Sequence, residues 1–254
     1  MLAFSLPLML ASATQAPPSP PPPADIVARL RDKATDPQTL KKEAGQVKTC
    51  ALQTDGRAPD PKDKWRASAG TGFTAAPSPT ADPQFVPDEE RTPTYFPAGH
   101  RPDASAFTVV GPDGKSLSVS AFAGRPVIVF FFRLDCLHAL EMMPEVARLH
   151  PVENRFGFKV LPVCISGEGW GAIEHFQKQN EKVLPPGFSI YKPSLTPGQG
   201  TSLFPLLRFA PTTYLLDDTG RVGWRVVGRV IGSLSDKLNL LLAERNLRNS
   251  QAGK

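Results

Sequence analysis

The chain has 254 residues with 29 basic and 24 acidic side chains, a net charge of +5, and is long enough for one medium domain with an extension. Twelve bases and twelve acids cancel up to residue 105, so the excess lies in the C-terminal part, where it is scattered. Without a basic stripe or interleaved aromatics this excludes a nucleic-acid footprint and reads as an ordinary solvated surface.

Proline divides the chain. Of 28 prolines, 17 precede residue 106, whereas hydrophobic periodicity concentrates after Ala106. The expected organisation is a signal segment over 1–16, a Pro-rich, largely irregular extension over 17–105, a folded domain over 106–248 and a tail over 249–254. Met1 to Ala13 is an apolar run with a small-x-small ending, the pattern of a secretory signal. It is too short to span a bilayer, it lacks a Lys or Arg ahead of it, and no cysteine follows to carry a lipid. An extracytoplasmic, periplasmic protein with no membrane span after cleavage is predicted, in a compartment where disulfides persist. Pro17 to Pro23 reads as an extended spacer. Ile26 and Leu30 predict a helix over 24–34. Residues 51–105 offer few apolar anchors, among them Trp65, Phe73, Phe85, Tyr95 and Phe96. These are too few to offset ordering entropy, so the segment is expected to drape over the domain or stay loose.

From Phe107 the pattern becomes regular. Phe107-Thr-Val-Val and Ser116-Leu-Ser-Val flank Gly111-Pro-Asp-Gly114, which predicts a hairpin. Val127 to Phe132 is β-branched and aromatic and too short for a buried helix, so it fits a strand covered on both faces. After Asp135, Met142, Val146 and Leu149 fall at helical spacing, which puts Cys136 near a helix N-terminus. Unpaired N–H groups and the helix dipole stabilise a thiolate there, and this favours Cys136 as an exposed or half-exposed reactive thiol over core filler.

Phe158 to Ser166 is a second apolar run, and strand, helix, strand at this spacing predicts a parallel pair. Cys164 lies inside the run and reads as a core residue. A weakly amphipathic helix over Trp170 to Asn180 and a short strand over Phe188 to Tyr191 follow. Thr201 to Arg208 reads as a helical turn feeding a strand from Phe209. Asp217-Asp-Thr-Gly220 then turns the chain into a partner strand, Arg221 to Val227. Ser233 and Asp236 open a closing helix, lined on one face by Leu234, Leu238, Leu241 and Leu242.

Cys50, Cys136 and Cys164 form no C-x-x-C or metal-ligand spacing, and His100, His138, His150 and His175 are dispersed. Neither a metal nor another cofactor is expected. The odd cysteine count leaves at least one unpaired and leaves open whether Cys50 meets Cys136 or Cys164.

The order hairpin, strand, cysteine-headed helix, strand, helix, strand, Pro-Thr-headed strand, Asp-x-x-Gly hairpin and final helix resembles the thioredoxin superfamily. The likeness is to its redoxin branch of TlpA-like extracytoplasmic thiol–disulfide oxidoreductases, over about Ala106 to Asn246. Asp113-Gly-Lys looks like the family's hairpin turn, Gly124-Arg-Pro-Val the lead into its central strand, and Pro144 the proline of its active-site helix. Ala210-Pro211-Thr212 looks like its cis-proline loop. The resemblance implies an α/β, thioredoxin-like three-layer fold with a central mixed sheet flanked by helices. It implies Cys136 as nucleophile, and Ala210, Pro211 and Thr212 as the residues that hold a client backbone. His138 is similar to the histidine of the Cys-x-His-Cys in strongly oxidising relatives, where it helps stabilise the thiolate.

The motif departs from the family at three positions: Ala139 replaces the second cysteine, Asp135 the usual tryptophan, and Met142 the helix glutamate. No sulfur at Ala139 can attack a mixed disulfide. Asp135 opposes the thiolate by like charge, against any help from His138, so the sign of the net shift stays open. The reading is therefore an exported monothiol protein acting on protein or small-molecule disulfides through Cys136, released by an external thiol reductant. A one-cysteine peroxidase, an antioxidant of the redoxin class cycling through sulfenic acid, is an alternative, although no threonine stands near the sulfur in Phe131-Phe-Arg-Leu-Asp-Cys136. A non-catalytic binding or scaffold protein is the third, favoured by Ala139 and Met142.

Overall fold

The computed structural model describes residues 24–45, 50–51, 92–196, 198–205, 207–228 and 233–252. The signal segment, the proline tract, Trp65, Phe73 and Phe85 lie outside the described residues. In chain order the elements are α1 (Ala24–Ala34), α2 (Pro37–Ala44), β1 (Cys50–Ala51), β2 (Thr94–Tyr95), β3 (Thr108–Val110), β4 (Ser116–Ser118) and β5 (Val127–Phe132). Then come α3 (Leu137–Leu149), α4 (Glu153–Phe156), β6 (Lys159–Cys164), α5 (Trp170–Gln179), β7 (Lys192–Pro193), β8 (Phe209–Ala210), β9 (Thr212–Leu216), β10 (Val222–Val227) and α6 (Ser233–Ala252).

Five strands form a mixed sheet in the order β2-β10-β9-β5-β6. β5 runs parallel to β6, from Val127 opposite Lys159 to Phe132 opposite Cys164, and antiparallel to β9. All six of its side chains are buried. Successive side chains point to opposite faces, so Ile128, Phe130 and Phe132 join one cluster with Met142 of α3, Phe176 of α5 and Leu241 of α6. Val127, Val129 and Phe131 join another with Phe107, Phe204 and Tyr214. Burial on both faces is why the run is apolar without alternation. Each fully buried ring contributes about 1.5–3 kcal/mol. The rings of Phe107, Phe131, Phe204 and Tyr214 meet with centroids 4.8–5.9 Å apart.

A three-stranded antiparallel sheet, β4-β3-β7, supplies residues to this second face. The result is the mixed α/β architecture expected, a central sheet flanked by helices. The predicted hairpin is β3 against β4, Thr108 opposite Ser118, and its turn closes through Gly114 at φ 74°, a conformation glycine adopts without a Cβ clash.

Two strand expectations shift. Phe188 and Ile190 are buried, but the ladder forms at Lys192–Pro193 against β3, with Tyr191 making a single bridge to Val163. The apolar side chains there fill the core while the backbone after them does the pairing. The strand expected from Phe209 is broken at Pro211, which has no N–H to donate.

Residues 92–105 are held in place. β2 adds to β10 with Tyr95 opposite Trp224. Arg101, 4% exposed, donates to Asp217 Oδ2 at 2.9 Å, to Glu244 Oε2 at 2.7 Å and to the Phe96 carbonyl at 3.1 Å. At the other end of the described chain α1 occupies the predicted span and buries Val27 and Ala34 in the helix-side cluster. Glu43 of α2 accepts from the buried Lys237 of α6 at 2.8 Å, and the Lys237 ammonium lies 5.2 Å from the Trp224 ring centroid. Among the described residues no helix is long and apolar enough to cross a membrane.

Candidate active site

β5 delivers the chain to a four-residue turn, and Cys136 is the N-cap of α3, at φ −100° and ψ 106°. The Leu134 N–H donates to Ser166 Oγ at 2.9 Å, tying the turn to the end of β6. Arg133 Nε donates to Asp135 Oδ1 at 2.7 Å, and a second guanidinium nitrogen bonds Oδ2. The Asp135 charge, expected to repel a thiolate, is therefore paired with a guanidinium two residues away. That hydrogen bonding holds Arg133 above its ordinary pKa despite burial.

Cys136 is fully buried and disulfide-bonded, which corrects the expectation of an exposed thiol. Its Sγ lies 3.4 Å from the Ala210 carbonyl oxygen. The correction has a long-range cause: β1 pairs antiparallel with β8, Cys50 opposite Ala210 and Ala51 opposite Phe209, so an upstream segment runs along the edge that meets the sulfur. Local pattern around residue 136 carries no trace of it.

The Ala210–Pro211 bond is cis, as the resemblance implies. Thr212 is buried, its Oγ1 donates to the Phe209 carbonyl at 2.7 Å, and its backbone is paired with Phe131 of β5 and Val227 of β10. The central sheet thus fixes Thr212 at the start of β9, two residues after Ala210, whose carbonyl meets the cysteine.

His138 sits on the first turn of α3, its side chain 20% exposed and its Nδ1 3.4 Å from Glu141 Oε2. Ala139 is fully buried, and the N–H groups of Ala139 and Leu140 both donate to the Cys136 carbonyl, at 3.0 and 3.1 Å, which starts the helix. Pro144 lies inside α3 and leaves the Leu140 carbonyl without its usual helical donor.

Cys164 is the core residue expected. It is free, 1% exposed, with Sγ 3.4 Å from Ser166 Oγ, and burial pushes its thiol above the ordinary value against the Ser166 hydrogen bonds. Among the described residues no group of three or more His, Cys, Asp or Glu could hold a metal ion. Sequence reasoning missed the β1–β8 ladder and the Arg133–Asp135 pair; the only sequence signal for the former was Cys50 as a possible partner of Cys136.

No family model and no curated protein matches the chain. Among solved structures it is similar to a thiol:disulfide interchange protein of the thioredoxin family from Chlorobium tepidum TLS, at 22% identity and TM-score 0.45, over 56% of this chain and 96% of that one. It is also similar to a DsbF homologue from Corynebacterium diphtheriae, at 18% identity and TM-score 0.48, over 58% and 91% of the two chains. A secreted thiol-disulfide isomerase from Corynebacterium glutamicum aligns at 16% identity and TM-score 0.48, over 60% and 92%. The chain's own topology has a cysteine-headed helix after the central strand, a parallel return through β6, a cis-proline between β8 and β9, and a closing hairpin and helix. It is a thioredoxin-like fold.

Proposed function

We propose that the chain is an exported thiol–disulfide oxidoreductase that exchanges electrons with protein or small-molecule disulfides through Cys136, an external thiol being the final donor. The observation that carries the reading is the state and place of Cys136: an oxidised cysteine at a helix N-terminus, 3.4 Å from the carbonyl preceding the cis-proline. A helix N-terminus stabilises the thiolate, which makes that sulfur both a good nucleophile near neutral pH and a good leaving group.

In the exchange, the Cys136 thiolate attacks one sulfur of a client disulfide, forms a mixed disulfide and expels the other client sulfur as a thiolate. A second thiol then attacks the Cys136 sulfur and frees the client. Ala210 and Pro211 hold the client backbone, Thr212 between β5 and β10 keeps that loop in place, and His138 supports the thiolate from the first turn of α3. With Asp135 paired to Arg133, the like-charge opposition to that thiolate is weakened.

The test is turnover of a disulfide-bonded peptide by the full chain with a thiol donor. Cys136→Ala loses turnover and Cys164→Ala keeps it; turnover surviving in Cys136→Ala refutes the reading. Hydrogen peroxide in place of the peptide separates the peroxidase alternative, and inertness toward both substrates favours a scaffold.

A further inference from the structure

We infer that Cys50 is the second sulfur of this site: the N-terminal extension lays β1 along the edge a client would use and closes the exchange cycle from within, replacing the cysteine absent at Ala139. This rests on the proposed exchange at Cys136 and specifies how it is completed.

The chain has three cysteines. Cys136 is disulfide-bonded and Cys164 is a free thiol, so Cys50 is the only partner the chain offers. The backbone supports the same pairing independently. Cys50 stands opposite Ala210 in the β1–β8 ladder, and the Ala210 carbonyl is the group 3.4 Å from the Cys136 sulfur. Antiparallel register thus delivers residue 50 to the nucleophile's own neighbour.

The extension is also anchored close by. α2 ends at Ala44, its Glu43 is paired with the buried Lys237, and α1 lies against α6 with Val27 and Ala34 in the core. A thiol held on a short connection from a fixed point reacts at an effective concentration on the order of millimolar or above. An external thiol has no such advantage.

The Cys136 thiolate attacks a client R–S–S–R′, forming Cys136–S–S–R and releasing R′–S⁻. The Cys50 thiolate attacks the Cys136 sulfur, forming the Cys50–Cys136 disulfide and releasing R–S⁻. Two electrons leave the protein dithiol and reduce the client, and the two protons lost by the protein thiols are available to the client thiolates. An external thiol reductant returns both electrons and is itself oxidised to a disulfide. Because β1 and a client would pair with the same edge of β8, β1 withdraws when a client binds and returns to resolve it.

The experiment follows a glutathione adduct. Reduced full-length wild type, Cys50→Ala and Cys164→Ala are mixed with oxidised glutathione, quenched by alkylation and mapped by mass spectrometry without reductant. Wild type and Cys164→Ala lose the Cys136 adduct as a Cys50–Cys136 disulfide appears, whereas Cys50→Ala retains it. An adduct that persists equally in wild type, or a Cys136 joined to Cys164 or to a second copy of the chain, overturns this inference and leaves exchange at Cys136 standing. A folded Cys50→Ala that forms no adduct on Cys136 removes the exchange reading and this inference together. The wild-type map needs no variant, so misfolding of Cys50→Ala leaves the test intact.

Discussion

The sulfur of Cys136 lies 3.4 Å from the carbonyl oxygen of Ala210. Ala210 is also the residue opposite Cys50 in the β1–β8 ladder, so one residue of the cis-proline loop borders both the reactive sulfur and the strand that reaches it.

Once the disulfide is reduced, Cys136 alkylates before Cys164. The N-terminus of α3 favours the Cys136 thiolate, whereas burial raises the Cys164 thiol, which is 1% exposed. A time course with iodoacetamide near neutral pH, read by peptide mapping, gives the order. Faster labelling of Cys164 contradicts the assignment, and without prior reduction no label reaches Cys136.

A cysteine restored at residue 139 rescues a protein that lacks Cys50. Ala139 is one helical turn from Cys136 and fully buried, so a sulfur there shares the same face at a packing cost of about 1–2 kcal/mol. The double variant Cys50→Ala, Ala139→Cys sheds the glutathione adduct that Cys50→Ala retains. If it forms the 136–139 disulfide yet releases no more turnover than Cys50→Ala, loss of a second sulfur is not what limits the variant.

The anchor of the extension governs closure and not the first attack. Glu43→Gln leaves the buried Lys237 without this carboxylate, which destabilises by about 3 kcal/mol and loosens α2. Formation of the internal disulfide slows roughly tenfold, while the first capture of glutathione by Cys136 does not slow. Quenched-flow mapping of both species distinguishes the two steps, and equal slowing of both contradicts this division.

How much of this was legible follows from which signals are local. β5, the β3–β4 hairpin, α5 and the leucines of α6 announce themselves by period, and the turns at Gly114 and Asp217 by residue type. Leu240, fully buried on α6, was missed because that helix buries more than one stripe. β1 and β2 are two residues each; a period cannot show in two residues, and both pair through backbone with distant edges. The burial of Cys136 is set by such a distant edge. Arg133 folds back onto Asp135 within the turn, a pairing that helical or strand spacing does not foretell.

The Arg101–Asp217 pair makes the domain acid-sensitive. Burial pushes the Asp217 carboxyl up, but hydrogen bonds from Thr219 and Arg101 outweigh it and leave the group below its ordinary value. A carboxylate with a depressed folded pKa contributes stability above its unfolded value, about 3.9, and loses it as pH falls through the folded one. Asp217→Asn costs about 3 kcal/mol near neutral pH, since it leaves buried Arg101 with one carboxylate instead of two. The gap between wild type and variant in denaturant midpoint narrows below about pH 4. A gap that stays constant into acid contradicts the pair's role.

The central claim is electron transfer through Cys136, and it is tested most directly by counting thiols. Reduced protein, mixed without oxygen or any other donor with an excess of two peptide chains joined by one disulfide, releases client thiols that can be titrated after protein removal. The account predicts two client thiols per chain from wild type and Cys164→Ala, one from Cys50→Ala with the other client sulfur held on Cys136, and none from Cys136→Ala. Release that survives in Cys136→Ala, or none from folded, fully reduced wild type, would contradict it.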